Sequence, residues 1–392
     1  MAHSLEALVV RYRVTVLTPT LIGDGQKLSP IDYMVWKDHV NVLDQHRIFR
    51  LLARGPRLES YLVQLKKAEK LDFASWGGFA QNYAGRRIPF EHASSTQYWE
   101  RTRAEYLFVP TFATGPNGPY LPATSVKGAL RTGVVHSHAN QQILKDLAAK
   151  VASESRVPRN PAGNVEDSAL GTYGADVMRL VAASDSNAVP VSSFKVYVLR
   201  TSTLESRGPG KFELAWKQSP RGAVKRFEDA TPVFAEMAAP DTVFEGDWRE
   251  DAFLSQPEIA RSLRRRGRPD TATMFRDVNA WSTQALEVHQ RYAEWTGMTV
   301  LQQTLAELRA RLERIRQDPL ACILPLGWGA GLFSKTAFSN TEDDALRQVL
   351  RQVPFYSRAI QSGLPFPKTR RVVFLANQPA TLAGFVELRV LA

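Results

Sequence analysis

The stretch Pro325-Leu326-Gly327-Trp328-Gly329-Ala330-Gly331-Leu332-Phe333-Ser334-Lys335-Thr336 carries the residue types and spacing best suited to holding a phosphate. Three glycines in five residues let the backbone approach a ligand with only N–H groups facing it, and Lys335 adds a fixed positive charge. Gly329 to Thr336 follows the nucleoside-triphosphate loop pattern, except that Ser334 stands where the glycine before the lysine belongs. No apolar strand ending in a metal-binding aspartate completes that pattern. The looser chemistry, amides and Lys335 presented to a nucleic-acid backbone, needs neither a metal nor strict spacing. Trp328 and Phe333 are able to stack on bases as single-strand binders do, and Phe333 serves equally well as an anchor into a core.

A second glycine loop, Ile22-Gly23-Asp24-Gly25-Gln26-Lys27, lies near the start of the sequence. Asp24 and Asp32 flank it, and each reads either as a catalytic carboxylate or as a turn residue that caps its own loop. A third phosphate site is offered by the helix start at Pro122-Ala123-Thr124-Ser125, where Thr124 or Ser125 can cap and unpaired N–H groups attract an anion. Lys127 and Arg131, four residues apart, reinforce that field or form a solvated helix face. His136 and His138 sit two apart near the end of the same helix and so point to different faces. His39, His46, His92 and His289 are isolated, which leaves no histidine cluster for a metal, and His136 is the best-placed histidine for a general base in RNA cleavage. No cofactor is expected.

The composition favours a polyanionic partner. There are 50 Lys and Arg against 39 Asp and Glu, a formal net charge of +11 over 392 residues, which suits nucleic acid or an acidic surface as well as an ordinary basic enzyme. One cysteine, Cys322, excludes an intramolecular disulfide framework and a cysteine-rich zinc site. No run of 18 apolar residues occurs and no basic leader precedes the first apolar run, so the expectation is a cytoplasmic protein without a membrane partner.

The elements that must position these groups follow from periodicity. Arg11 to Val16 alternates as a strand with Tyr12, Val14 and Val16 facing a core. Tyr33 to Trp36 reads as a second strand and Asp44 to Leu65 as a helix, while residues 68 to 105 show no sustained period and read as irregular. Val126, Leu130 and Val134 give the helix after Pro122 an inward face. The polar run 152 to 173 reads as a surface loop, and Phe194 to Leu199 as a strand. Residues 205 to 226 read as a protruding basic hairpin or arm. Thr242 to Gly246 is strand-like, and Arg261 to Arg268 holds five arginines in eight residues. Leu301, Leu305, Leu308, Leu312 and Ile315 mark the core face of a long helix. A short helix near 341 to 353 follows the glycine loop, and Val372 to Leu375 and Phe385 to Val390 read as a pair of strands. The recurrence of strand, helix, strand in each half suggests an α+β fold of two ferredoxin-like units with antiparallel sheets, glycine-rich loops and inserted helices. The expected division is 1–200, with an insertion around 68–105, and 201–392, with the basic arm 205–226 and the glycine-rich loop 327–336.

Three motifs together resemble the RAMP proteins of type III CRISPR effector complexes. They are Leu17-Thr18-Pro19-Thr20-Leu21-Ile22-Gly23-Asp24-Gly25 with Ser29-Pro30-Ile31-Asp32-Tyr33, Tyr120 to Thr132, and Gly327-Trp328-Gly329-Ala330-Gly331 with Ser334-Lys335-Thr336. The middle motif marks the superfamily; the first and last are most similar to the fifth, 3′-end-capping subunit family of the type III-A Csm complex. The resemblance implies a non-catalytic subunit that caps the 3′ end of the guide-RNA filament and supports maturation of that end. It implies as partners the CRISPR guide RNA, the guide–target RNA duplex, neighbouring RAMP subunits and a trimming nuclease. The implied RNA-contacting set is Gly23, Asp24, Gly25, Lys27, Ser125, Lys127, Arg131, Gly327, Trp328, Gly329, Gly331, Lys335 and Thr336. RAMP subunits that cut target RNA carry an aspartate in the loop after the first strand; Asp32 lies in a comparable stretch, but its Ser-Pro-Ile-Asp-Tyr setting is closer to the capping subunit. The alternative is a RAMP endoribonuclease that processes guide precursors or cuts target RNA, with His136 or Asp32 in its active site.

Overall fold

The computed structural model describes residues 9–53, 57–67, 70, 83–153, 163–208, 211–220, 222–265 and 270–391. Two antiparallel sheets carry it. Their strands, in chain order, are β1 (Val9–Val16), β2 (Val181–Ala183), β3 (Phe194–Gly208), β4 (Lys211–Lys217), β5 (Ala223–Val224), β6 (Val233–Ala238), β7 (Val243–Glu250), β8 (Ala321–Pro325), β9 (Thr369–Leu375), β10 (Gln378–Leu382) and β11 (Phe385–Leu391). The first sheet has the order β8-β11-β1-β7-β2, and the second β5-β4-β3-β9-β10 with β6 also paired to β3.

Alternation sets the first strand: Tyr12, Val14 and Val16 are at most 1% exposed, whereas Arg11 and Arg13 face outward and Arg13 meets Glu245 at 2.8 Å. Tyr12 pairs with Gly246, where a Cβ would lie 2.7 Å from the tyrosine ring, so the small residue on β7 makes room for the large one on β1. Against this sheet pack two helices, α1 (Ala123–His138) and α2 (Thr271–Thr296), with Val126, Leu130, Val134, Val278 and Trp281 in one core. Gly133 allows their contact, since a Cβ there would stand 2.7 Å from Val278 Cγ2. Helix α3 (Thr299–Ile315) buries Leu301, Leu305, Leu308, Leu312 and Ile315 as the periodicity requires, in a second core with Val196, Val198 and Val372.

Several expectations are corrected. The division near residue 200 does not separate the sheets: the first draws strands from both sides of it, and β3 runs across it. Val372 to Leu375 and Phe385 to Val390 do not pair, because β9 belongs to the second sheet and β11 to the first. The helix expected over 44–65 is two, Gln45–Leu52 capped by Asp44, and Arg57–Lys67. Within 68–105, residues 84–89 form a strand beside the strand His39–Leu43, and Ser95–Arg101 is a helix; residues 68–69 and 71–82 lie outside the described residues. Within 152–173, Gly163–Leu170 is helical, with residues 154–162 outside the described set. Helix α2 shows little apolar stripe in the sequence because its outward face mixes Arg, Gln and Glu and polar Asn279 and Ser282 are buried in its inner face, yet Asp270 caps it and Gly297, at φ 66°, ends it. The expected arm takes in the end of β3, all of β4 and β5, with Lys211, Lys217, Lys225 and Arg226 exposed. Of the arginine run, Arg261 pairs with Glu258 and Arg265 donates to the Leu254 carbonyl, while residues 266–269 lie outside the described set.

Candidate nucleic-acid interface

The two glycine loops, some 300 residues apart in sequence, are stitched together. After β1 the chain runs to Leu21, whose carbonyl accepts the amide of Trp328 at 2.8 Å, and Ile22 accepts from Ala113 at 2.8 Å. The first loop then turns through Gly23 and Gly25, the latter at φ 92° with open space around it. Asp24 Oδ1 accepts the Gln26 amide at 3.0 Å, so Asp24 is the residue that shapes this turn. Lys27 pairs with Pro110 in a short ladder, and its ammonium lies 4.4 Å from the Phe108 ring centroid.

The second loop leaves β8 with Gly327, Gly329 and Gly331 at φ 90°, 89° and 84°. At Gly327 a Cβ would fall 2.4 Å from the Leu21 carbonyl oxygen, so close approach of the first loop requires glycine there. Phe333 is 1% exposed and packs edge-on to His289, which makes it the loop's anchor and removes it as a base-stacking group. Thr336 ties down the loop's exit: its carbonyl accepts Trp281 Nε1 at 3.0 Å and its Oγ1 accepts the Phe338 amide at 3.1 Å.

The start of α1 supplies the third wall. Pro122, and not Thr124 or Ser125, is its cap residue, and the Ala123 amide donates to Asp185 Oδ1 at 2.8 Å. Thr124, Ser125, Gly128 and Thr132 then share one face, at helical spacing, toward the loops. Lys127 and Arg131 lie on a different face. Arg131 donates to Asp176 at 2.7 Å and Glu166 at 2.9 Å. Burial pulls the Lys127 pKa down, while the Asp176 carboxylate opposes that shift. The charge of Arg131 is matched within the fold.

The three walls enclose a groove of about 740 Å³. Gly23, Gly25, Lys27, Ser125, Gly327, Trp328 and Lys335 line it, joining residues from all three motifs, and among the described residues no Asp or Glu does. Asp24, Lys127, Arg131, Gly329, Gly331 and Thr336 do not. Gly329 and Gly331 line a second cavity of about 470 Å³, in which Trp328 and Lys335 recur as a shared wall. Arg371 in β9 also lines it, with its guanidinium 4.2 Å from the Trp328 ring centroid. Sequence reasoning passed over Arg371; the cluster Lys368-Thr369-Arg370-Arg371 ahead of an apolar strand was its signal.

The alternative catalytic groups are occupied locally. Asp32 Oδ2 accepts from the amide and hydroxyl of Ser29 at 2.7 and 2.6 Å. His136 Nδ1 donates to the Ala337 carbonyl at 2.6 Å, and His138 Nδ1 to Val134 at 2.9 Å. Among the described residues no group of three His, Cys, Asp or Glu is placed to hold a metal ion, and no helix is long and apolar enough to cross a membrane.

Comparison with known proteins gives a consistent picture. A family model described as the RAMP superfamily matches residues 13–334. A chain from the cryo-EM structure of a Csm–crRNA–target RNA ternary complex of a type III-A CRISPR-Cas system is 18% identical, with a TM-score of 0.66 over 97% of this chain and 100% of that one. The crystal structure of T. onnurineus Csm5 is 17% identical, with a TM-score of 0.61 over the same shares. No curated protein matches the sequence.

Proposed function

The chain belongs to the RAMP superfamily, and from that premise we propose that it is a guide-RNA-binding subunit of a type III-A CRISPR effector complex, seating the 3′ end of the guide and performing no chemistry of its own. One observation carries this reading: two glycine loops and a helix start converge on a groove that, among the described residues, no Asp or Glu lines. Such a lining suits a phosphodiester backbone, which presents repeated negative charge and no group that needs an acid partner. The likeness in fold to Csm chains supports the same reading. In it, Lys27 and Lys335 neutralise backbone phosphates, the amides beside Gly23, Gly25 and Gly327 approach them closely, and Trp328 offers a ring to a base.

The partners in this reading are the guide RNA, the guide–target duplex met by the β3–β4 hairpin, neighbouring RAMP subunits in the antiviral complex, and a separate nuclease that trims the 3′ end. The architecture reads as two ferredoxin-like units. The first runs β1, α1, β2, β7, α2, β8, with β11 inserted between β8 and β1; the second is the β3–β9 sheet covered by α3. The units are thus sheets, interleaved along the chain.

The test is to incubate the purified protein with 5′-labelled guide-precursor RNA, with and without magnesium, and to follow mobility and cleavage together. Salt-sensitive binding of intact RNA, weakened by Lys27→Ala and Lys335→Ala, is expected. Discrete cleavage that disappears in Asp32→Ala or His136→Ala, with affinity retained, would replace this reading with a RAMP endoribonuclease.

A further inference from the structure

The second cavity has the chemistry of a nucleotide site. Arg371 lies against Trp328 with its Nε buried and, among the described residues, without a hydrogen-bond partner, and burial draws its pKa down. Its neighbour Arg370 is different: it spends its donors on the Pro367 and Thr369 carbonyls and on His289 Nδ1, and so belongs to the wall. Among the described residues no backbone carbonyl accepts from the amides of Gly329, Ala330 or Gly331. A Cβ at Gly331 would meet nothing within 4 Å, which leaves its backbone open to a ligand. Among the described residues no Asp or Glu lines the cavity.

An aromatic pair completes it. Phe355 is 84% exposed, with its ring 5.0 Å from Tyr356 and nearly perpendicular to it. Tyr356 is braced in turn by Phe366 at 5.5 Å. An exposed phenylalanine contributes nothing to the core, and a bare phosphate would make no use of it. A base stacked on it would.

We propose that this cavity receives one nucleotide of an RNA strand, its phosphate against Arg371, Lys335 and the Gly329 and Gly331 amides, and its base against Phe355 and Tyr356. The proposal rests on the reading of the larger groove as an RNA track. Trp328 and Lys335 border both spaces, so a strand in the groove passes one nucleotide over the glycine loop while its neighbours stay behind.

The experiment uses the full chain and short RNAs carrying 2-aminopurine at one position at a time, with free 2-aminopurine ribonucleoside 5′-monophosphate as a second probe. One position is expected to be quenched on binding and to recover in Phe355→Ala, which weakens RNA binding about tenfold, the effect of one lost stack. Phe355 is a surface residue, so this variant keeps the fold; Arg371→Met, which retains an apolar stem on Trp328, is expected to act alike. Quenching of the free mononucleotide, lost in Phe355→Ala, would support the site and identify a free nucleotide as a second source of the same chemistry. If RNA binds and Lys27→Ala weakens it, but no position is quenched or the quench ignores Phe355, this proposal falls and the RNA-track reading stands. If wild-type protein binds neither probe, both fall.

Discussion

The guanidinium of Arg371 sits 4.2 Å from the centroid of the Trp328 ring, and this contact joins a strand of the second sheet to the loop that leaves the first. It fixes one face of the indole and leaves the other edge of the loop to the groove. Trp328→Ala is expected to lower stability by about 1 to 3 kcal/mol through loss of the cation–π contact and of half-buried ring area. Denaturant titration measures it, and a loss of RNA affinity should accompany it.

Gly327 and Gly25 both hold positive φ, but only Gly327 has a carbonyl where a Cβ would go, at 2.4 Å. Gly327→Ala should therefore cost about 3 kcal/mol or more, and Gly25→Ala about 1 kcal/mol. Equal midpoint shifts for the two would show that the clash at Leu21 relaxes at no cost.

Salt dependence separates the groove-lining cations from Arg131. Lys27→Ala and Lys335→Ala should each reduce the slope of log K against log salt by about 0.7, the single-strand value per phosphate contact. Arg131→Ala should leave the slope unchanged, because that side chain is held by Asp176 and Glu166. A reduced slope for Arg131→Ala would return that residue to the RNA-contacting set.

Acid should destabilise the fold through His289. Burial, reinforced by Arg370, holds its pKa well below the ordinary 6.5, and its Nδ1 accepts from Arg370 Nε at 3.0 Å. The unfolded chain binds this proton below about pH 6.5 and the folded chain does not. Stability from this group is thus complete above that pH and declines below it, by up to about 1.4 kcal/mol per unit. Thermal melts from pH 7 to pH 5 should show a shallower decline in His289→Gln than in the wild type.

The motifs and the wall-forming elements were legible because each has a local cause. Alternation at Tyr12, Val14 and Val16 needs only neighbours in sequence, and so does the Leu301 to Ile315 stripe. The glycine loops announced themselves by composition, and the fold brings Gly23, Gly25, Gly327 and Lys335 to one groove. What stayed hidden is what depends on distant partners. Nothing near Arg131 tells that Asp176 and Glu166, 45 and 35 residues on, will claim it. The same distance hides the stacking of Arg371 on Trp328, and the separation of the last two strands into different sheets.

The placement of β1 has a consequence for biosynthesis. Its two partners are β7 and β11, at Val243–Glu250 and Phe385–Leu391. On the ribosome β1 is thus an unpaired edge until some 230 further residues have followed it, and its other side waits for β11, some 370 residues on. A nascent chain halted before residue 385 lacks that side of the sheet, and Gly384, whose carbonyl holds the Leu326 amide at the foot of the second glycine loop, is left at a chain end with no strand following it. Interrupted synthesis therefore yields products with an unfinished groove.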